Sequence, residues 1–165
     1  MSIEKLLEFE EGFRETAYYC SEGYPTIGIG WKIGEKHQPL EDFSLISICK
    51  GAALAQCKNE AYLIGLNLHC VIDCWQDLSE ARQSVLISMT YQMGLSGLMK
   101  FKKMLAAIES GSFALAANEG FDSKWAKQTP ERARRHMNTM LSGDWSEYDF
   151  YLICTLKPLN WGVLA

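Results

Sequence analysis

A change of residue pattern near position 47 divides the chain into a short β-favouring stretch and a long helical one. From Ala17 to Gly34, the side chains of Tyr18, Tyr19, Tyr24, Thr26, Ile27, Ile29 and Trp31 suit a pleated, half-buried surface, and Ser21-Glu22-Gly23 supplies a turn. The stretch predicts a small antiparallel sheet of two or three strands. Residues 35–46, with His37, Gln38 and Pro39 in the middle, predict a loop and a plausible boundary. After Ser47 apolar residues recur at helical spacing, as in Ala53, Leu54, Cys57, Ala61, Ile64 and Leu68. Ser79 is placed to cap a helix running through Val85, Leu86, Met89 and Tyr91. Gly94 and Gly97 are expected to break that helix, and Gly111 to stop the next, from Leu98 to Glu109. Thr129-Pro130 opens a last, basic helix, with Thr capping the first amides and Pro preorganised at the first helical position; it should end near Gly143. Ahead of the sheet, Ser2 is placed to cap a short helix with Ile3, Leu6, Leu7 and Glu10 on one face, ended by Gly12. The pattern is α+β and mainly helical.

A chain of 165 residues, 48% hydrophobic, is the size of one domain with its own core. No stretch approaches the roughly 20 apolar residues of a transmembrane helix. Met1 to Glu11 carries five charges where a signal peptide needs an apolar run, so the protein is expected to start in the cytosol without stable membrane insertion. The six cysteines form no CxxC and match no standard zinc spacing, so no metal and no disulfide is expected; Cys70 and Cys74, four apart beside His69, would share one helical face. Buried cysteines behave as small hydrophobes. The net charge of −4 argues against nucleic acid as a partner. The charge is nevertheless uneven: residues 1–60 hold six basic and ten acidic side chains, and residues 97–136 hold eight basic and four acidic. The second segment suits a polymer rich in carboxylates, or is a set of solvated helix faces.

Chemistry is suggested by a carboxylate at a helix end facing a hairpin. Glu10 and Glu11 precede Gly12, and the next polar cluster is Cys20, Thr26 and the glycines of Thr26-Ile27-Gly28-Ile29-Gly30. A glycosidic oxygen leaves poorly until protonated, so its cleavage needs a carboxylic acid kept protonated by burial. Periodicity alone does not choose between Glu10 and Glu11.

The run Glu11-Gly12-Phe13-Arg14, then Tyr18, Gly23-Tyr24 and Thr26 to Gly30, closely resembles the N-terminal signature of the phage lysozymes of glycoside hydrolase family 24. In that family a Glu, eight residues, an Asp or Cys, five residues and a Thr form the catalytic set, and Glu11, Cys20 and Thr26 fit without a gap. Tyr91-Gln92-Met93-Gly94 and the run from Trp125 to Ala133 resemble the family's helical blocks in the same order. The resemblance implies a lysozyme-like fold: a small sheet lobe at about 13–46, a larger helical lobe at about 60–165 together with the N-terminal helix, a long helix joining the two lobes, and a substrate cleft between them. It implies Glu11 as general acid and Arg132 as a guanidinium that orients it; read alone, Arg132 is a surface cation. The Cys20 thiolate would assist water or stabilise the transition state, or Thr26 would hold the water while Cys20 fills a strand position. Gly30, Lys32 and Tyr91 correspond to substrate contacts, Lys32 in place of an apolar family residue. Met104 and Glu119 replace small polar residues that touch substrate in relatives.

The resemblance further implies a cofactor-free monomeric muramidase acting on peptidoglycan glycan strands, waiting in the host cytoplasm until a holin admits it to the wall. A lytic transglycosylase on the same bond and a non-catalytic wall-binding module are the alternatives. Residues 149–165 extend beyond the resemblance; they are apolar, interrupted by Lys157-Pro158, and expected to dock on the helical lobe.

Overall fold

The computed structural model describes residues 1–149, which divide into two units, 2–68 and, with Met1, 69 onward. In the first unit, α1 (Ile3–Glu11) buries Leu6 and Leu7 and stops at Gly12, whose φ of 74° lies in the left-handed region that glycine enters without strain. Ser2 occupies the N-cap position, but its side chain makes no capping bond. Three antiparallel strands follow in sequence order: β1 (Arg14–Tyr19), β2 (Pro25–Gly28) and β3 (Trp31–Lys32). Tyr18 pairs with Thr26, and Thr26 pairs with Lys32. Partners directly opposite in antiparallel strands project on one face, so these three side chains form a row across the sheet. The link expected at 35–46 contains a 3-10 turn, Leu40–Phe43, that buries Phe43.

The 22 residues of α2 (Lys50–Val71) span roughly 33 Å. Ala53, Cys57, Ala61 and Leu68 are its buried face, and Lys50 pairs with Glu8 of α1 at 2.6 Å. A Cβ on Gly28 would come within 3.2 Å of Ala53 Cβ, so glycine lets β2 approach α2 closely. The helix ends before Cys74, which caps a separate 3-10 turn, Trp75–Asp77. Cys70 and Cys74 therefore do not share a helical face. Among the described cysteines only Cys57 is buried; Cys20 and Cys74 are half-buried and Cys49 and Cys70 exposed.

The second unit is helical. α3 (Glu80–Met93) starts as expected at Ser79, whose hydroxyl accepts from the Arg82 amide, and ends at Gly94. The expected helix from Leu98 is instead two: α4 (Leu95–Leu98) contains Gly97, and α5 (Lys102–Glu109) begins after Phe101. α6 (Phe113–Phe121) and α7 (Lys124–Gln128) precede α8 (Pro130–Ser142). Pro130 holds the first helical position, but Thr129 does not cap: its hydroxyl donates back to the Trp125 carbonyl at 3.1 Å. Gly143, at φ 79°, closes α8 in the left-handed conformation. α8 packs on α3, α6 and α7 and buries Ala133, Met137 and Met140 along with Arg132 and His136. No helix among the described residues is long and apolar enough to cross a membrane. The expected docking of 149–165 lies almost wholly outside the described residues.

Candidate active site

Glu11 is the last residue of α1 and is half-buried. Its charge reaches Tyr18 on β1. Burial raises the Tyr18 phenol above its ordinary value, the Glu11 carboxylate and Cys20 raise it further, and the Arg14 guanidinium, 4.9 Å from its ring centre, opposes them. One tyrosine thus lies within electrostatic range of both acidic groups that the sequence singles out.

Cys20 stands two residues beyond Tyr18, at the start of the turn that closes β1 on β2; its amide donates to the Tyr24 carbonyl at 3.0 Å. Its partial burial raises the thiol. Polar contacts from the backbone of Tyr24 and Glu22 and from the Thr26 hydroxyl, together with the positive charge of the Lys32 ammonium, more than reverse that, and the thiol sits below its ordinary value. Thr26 is 1% exposed, and its hydroxyl also donates to the Tyr24 carbonyl at 2.9 Å. Lys32, whose ammonium is 2.6 Å from a Glu22 oxygen and 4.5 Å from the centre of the Tyr24 ring, is held over the turn. Gly30, at φ 77°, forms the tight turn between β2 and β3. The first unit therefore gathers Cys20 of the β1–β2 turn, Thr26 of β2 and Lys32 of β3 at one end of the sheet, and the charge of Glu11 reaches the neighbouring Tyr18. An acid, a thiol and a buried hydroxyl are the groups needed to protonate a leaving oxygen and to hold or deprotonate a water.

Arg132 and Tyr91 belong to the second unit. Tyr91 is half-buried on α3. Arg132 is not the surface cation of the plain reading. It is 7% exposed, and its Nη2 donates to the Ser88 hydroxyl at 2.9 Å and to the Ser88 carbonyl at 3.2 Å. The same hydroxyl lies 2.9 Å from His136 Nε2, and His136 Nδ1 lies 2.7 Å from the Tyr148 hydroxyl. Ser88, His136 and Tyr148 are each 0% exposed. Sequence reasoning passed over these three; the one available signal was His136 four residues after Arg132, hence on the same face of one helix.

An open pocket of about 630 Å³ also lies in the second unit, lined by Lys100, Lys102, Lys103 and Lys124 together with Glu119 and Asp122. Met104 and Trp125 are part of its wall, so the two positions where small polar residues are replaced, Met104 and Glu119, both face this pocket. Among the described residues no group of three or more His, Cys, Asp or Glu side chains is arranged to hold a metal ion.

The profile of the phage lysozyme family matches residues 8–138. The chain is 32% identical to the pre-baseplate central spike protein Gp5 of Enterobacteria phage T4 over 90% of its own length, but spans only 29% of that protein. It is 29% and 28% identical to two probable T4-type lysozymes of Dictyostelium discoideum, covering 89% of this chain and 98% of each relative.

Proposed function

Because the chain belongs to the phage lysozyme family, we propose that it hydrolyses the β-1,4 bond between N-acetylmuramic acid and N-acetylglucosamine, with Glu11 as general acid. Membership makes it a lysozyme-type glycoside hydrolase that degrades peptidoglycan. The observation that carries the residue roles is the convergence of the Cys20 amide and the buried Thr26 hydroxyl on the Tyr24 carbonyl, at 3.0 and 2.9 Å, beside Tyr18, which also feels Glu11. Glu11 gives its proton to the glycosidic oxygen as the bond to the anomeric carbon breaks. Water adds at that carbon, and the proton it releases passes to the Cys20 thiolate, while the Thr26 hydroxyl orients the water. Gly30 and Tyr91 take the sugar rings, and the buried Arg132 serves the acid's orientation. The lysine-rimmed pocket suits the carboxylates of the wall polymer.

In this reading the enzyme is a monomer that lyses a host cell from within and depends on a holin lesion to pass from cytoplasm to wall. The test is turbidity clearing of permeabilised Gram-negative cells by the protein and its Glu11→Gln variant, followed by mass spectrometry of the released muropeptides. Reducing ends confirm hydrolysis. Products one water lighter, with an anhydro end, would identify a lytic transglycosylase instead, and binding without clearing would identify a wall-binding module.

The likeness to part of a spike protein favours a second use of the same chemistry, wall cleavage on entry from a virus particle. Presence of the chain in purified particles would support it.

A further inference from the structure

We propose that His136, held by Tyr148, is a positioning residue that fixes the Arg132 guanidinium through the Ser88 hydroxyl. The proposal rests on the reading that Arg132 serves the reaction. Arg132 lies in the first turn of α8, the end of a helix where a cation is least favoured, and it is buried there. Ser88 on α3 offers it two acceptors, its hydroxyl and its carbonyl. A carbonyl is fixed by its helix. A hydroxyl can rotate, and its one proton must point away from an arginine that only donates.

His136 decides where that proton goes. A neutral imidazole whose Nε2 accepts takes the Ser88 proton and leaves an oxygen lone pair toward Arg132 Nη2, while Nδ1–H donates to the Tyr148 oxygen. Every bond in the chain Arg132, Ser88, His136, Tyr148 then runs in one direction, so each donor polarises the next. The opposite tautomer, with Tyr148 donating to Nδ1, brings Nε2–H to the Ser88 oxygen, which would then compete with Arg132 for its lone pairs. Protonation of both nitrogens would place a second cation one hydroxyl away from the guanidinium. The imidazole itself is clamped: Trp125 meets it edge-on at 5.9 Å, Tyr148 meets it edge-on at 6.1 Å, and Trp125 is fixed by its Nε1–H to Gln92 Oε1 at 2.8 Å. Four side chains from α3, α7, α8 and the segment after α8 thus converge on the geometry of a single guanidinium.

The experiment uses the whole chain with ¹⁵N-labelled arginine and three variants, His136→Leu, Tyr148→Phe and His136→Gln, with Met137→Ala as a control for loss of buried packing on the same helix. Two quantities are read: the side-chain ¹⁵N resonances of Arg132, which report hindered rotation of its guanidinium, and kcat and KM on soluble wall fragments. The expected result is that His136→Leu and Tyr148→Phe release the slow rotation and lower kcat about tenfold or more, the size expected when a hydrogen bond to a charged group is lost, with KM little changed. His136→Gln, which keeps a polar group within reach of Ser88, should recover part of both. Met137→Ala should lower thermal stability and leave both unchanged. Should His136→Leu fail to fold, Tyr148→Phe, which removes one oxygen atom, carries the test. Unaltered Arg132 rotation in the folded variants overturns the proposal. Released rotation with unchanged kcat overturns its catalytic part. An active Arg132→Ala variant would instead remove Arg132 from the proposed mechanism, leaving the rotation measurement as a separate result.

Discussion

Cys20 and Thr26 converge on one acceptor, the Tyr24 carbonyl, to which the Cys20 amide donates at 3.0 Å and the Thr26 hydroxyl at 2.9 Å; that hydroxyl also favours the Cys20 thiolate and has a single proton to place. With Cys20 as a thiol, the Thr26 proton rests on the Tyr24 carbonyl and the thiol proton can sit on the Thr26 oxygen. With Cys20 as a thiolate, the hydroxyl turns its proton to sulfur. Thr26 is thereby coupled to the charge state of its neighbour; its one proton is engaged in either state, so what it offers a nearby water is an acceptor lone pair.

Removal of that hydroxyl should therefore move the Cys20 titration. The thiol lies below its ordinary value, so the thiolate fraction grows at lower pH than for a free cysteine. In a background with the other five cysteines replaced, Thr26→Val and Lys32→Met should each shift the pH profile of alkylation upward, while Thr26→Ser should leave it in place. The linkage has a definite sign: the contribution to stability is complete above the unfolded-state thiol pKa and is lost as pH falls through the folded-state one. An unshifted alkylation profile in Thr26→Val would deny the hydroxyl this role.

Glu11→Gln should stop wall clearing while the fold stays intact. The amide has nearly the shape of the acid but no proton to give, and general acid catalysis contributes about 10² to 10⁴ in rate. Circular dichroism checks the fold and turbidity the rate; substantial clearing would remove Glu11 from its place.

Arg132→Ala should cost much more activity than Arg134→Ala. Arg134 is half-exposed and pairs with Glu147 and, at 3.5 Å, with Glu131, a surface arrangement worth about 0–1 kcal/mol. Arg132 is buried on Ser88. Equal losses in the two folded variants would reduce Arg132 to one charge of a basic face.

Gly120 marks where α6 meets α8. A Cβ there would come within 3.1 Å of Met137 Cγ and nearer still to its sulfur, and Met137 is completely buried. Gly120→Ala gains about 1 kcal/mol of helix propensity. Against that stands an overpacking cost of about 1–3 kcal/mol, so a net loss of stability is expected. Calorimetry should show a lower Tm, and adding Met137→Ala should cost less than the sum of the two single changes, since the space is shared.

The elements with strong local signals were legible in the sequence. Gly12, Gly94 and Gly143 end helices where expected because a left-handed residue terminates a helix whatever surrounds it, and the β-favouring run at 17–34 contains all but the first residues of the sheet. Where two local rules compete, the reading failed. Gly97 sits inside α4 because a four-residue helix asks little of propensity, and Thr129 spends its hydroxyl on the preceding turn instead of on the helix it was expected to cap. In the candidate site, spacing and family resemblance picked out Glu11, Cys20 and Thr26. The Ser88, His136 and Tyr148 network was not legible, because its members lie 12 and 48 residues apart and only tertiary packing joins them.

Cys20 gives the sharpest separation between a working group and a packing one. It is half-buried, so an alanine leaves little unfilled space, and any large loss in Cys20→Ala must come from chemistry. A thiolate that accepts the proton of water should make Cys20→Ala clearly slower and erase the basic-side rise in rate that thiol ionisation imposes on the parent. Cys20→Asp restores a carboxylate beside Lys32 and Thr26, remains ionised far below neutral pH, and should stay active with that rise moved to acid. The decisive measurement is the pH profile of wall clearing for the three proteins at equal concentration. Parent-like activity of Cys20→Ala across the whole range would leave the water to Thr26 and make the thiol a filler of the turn.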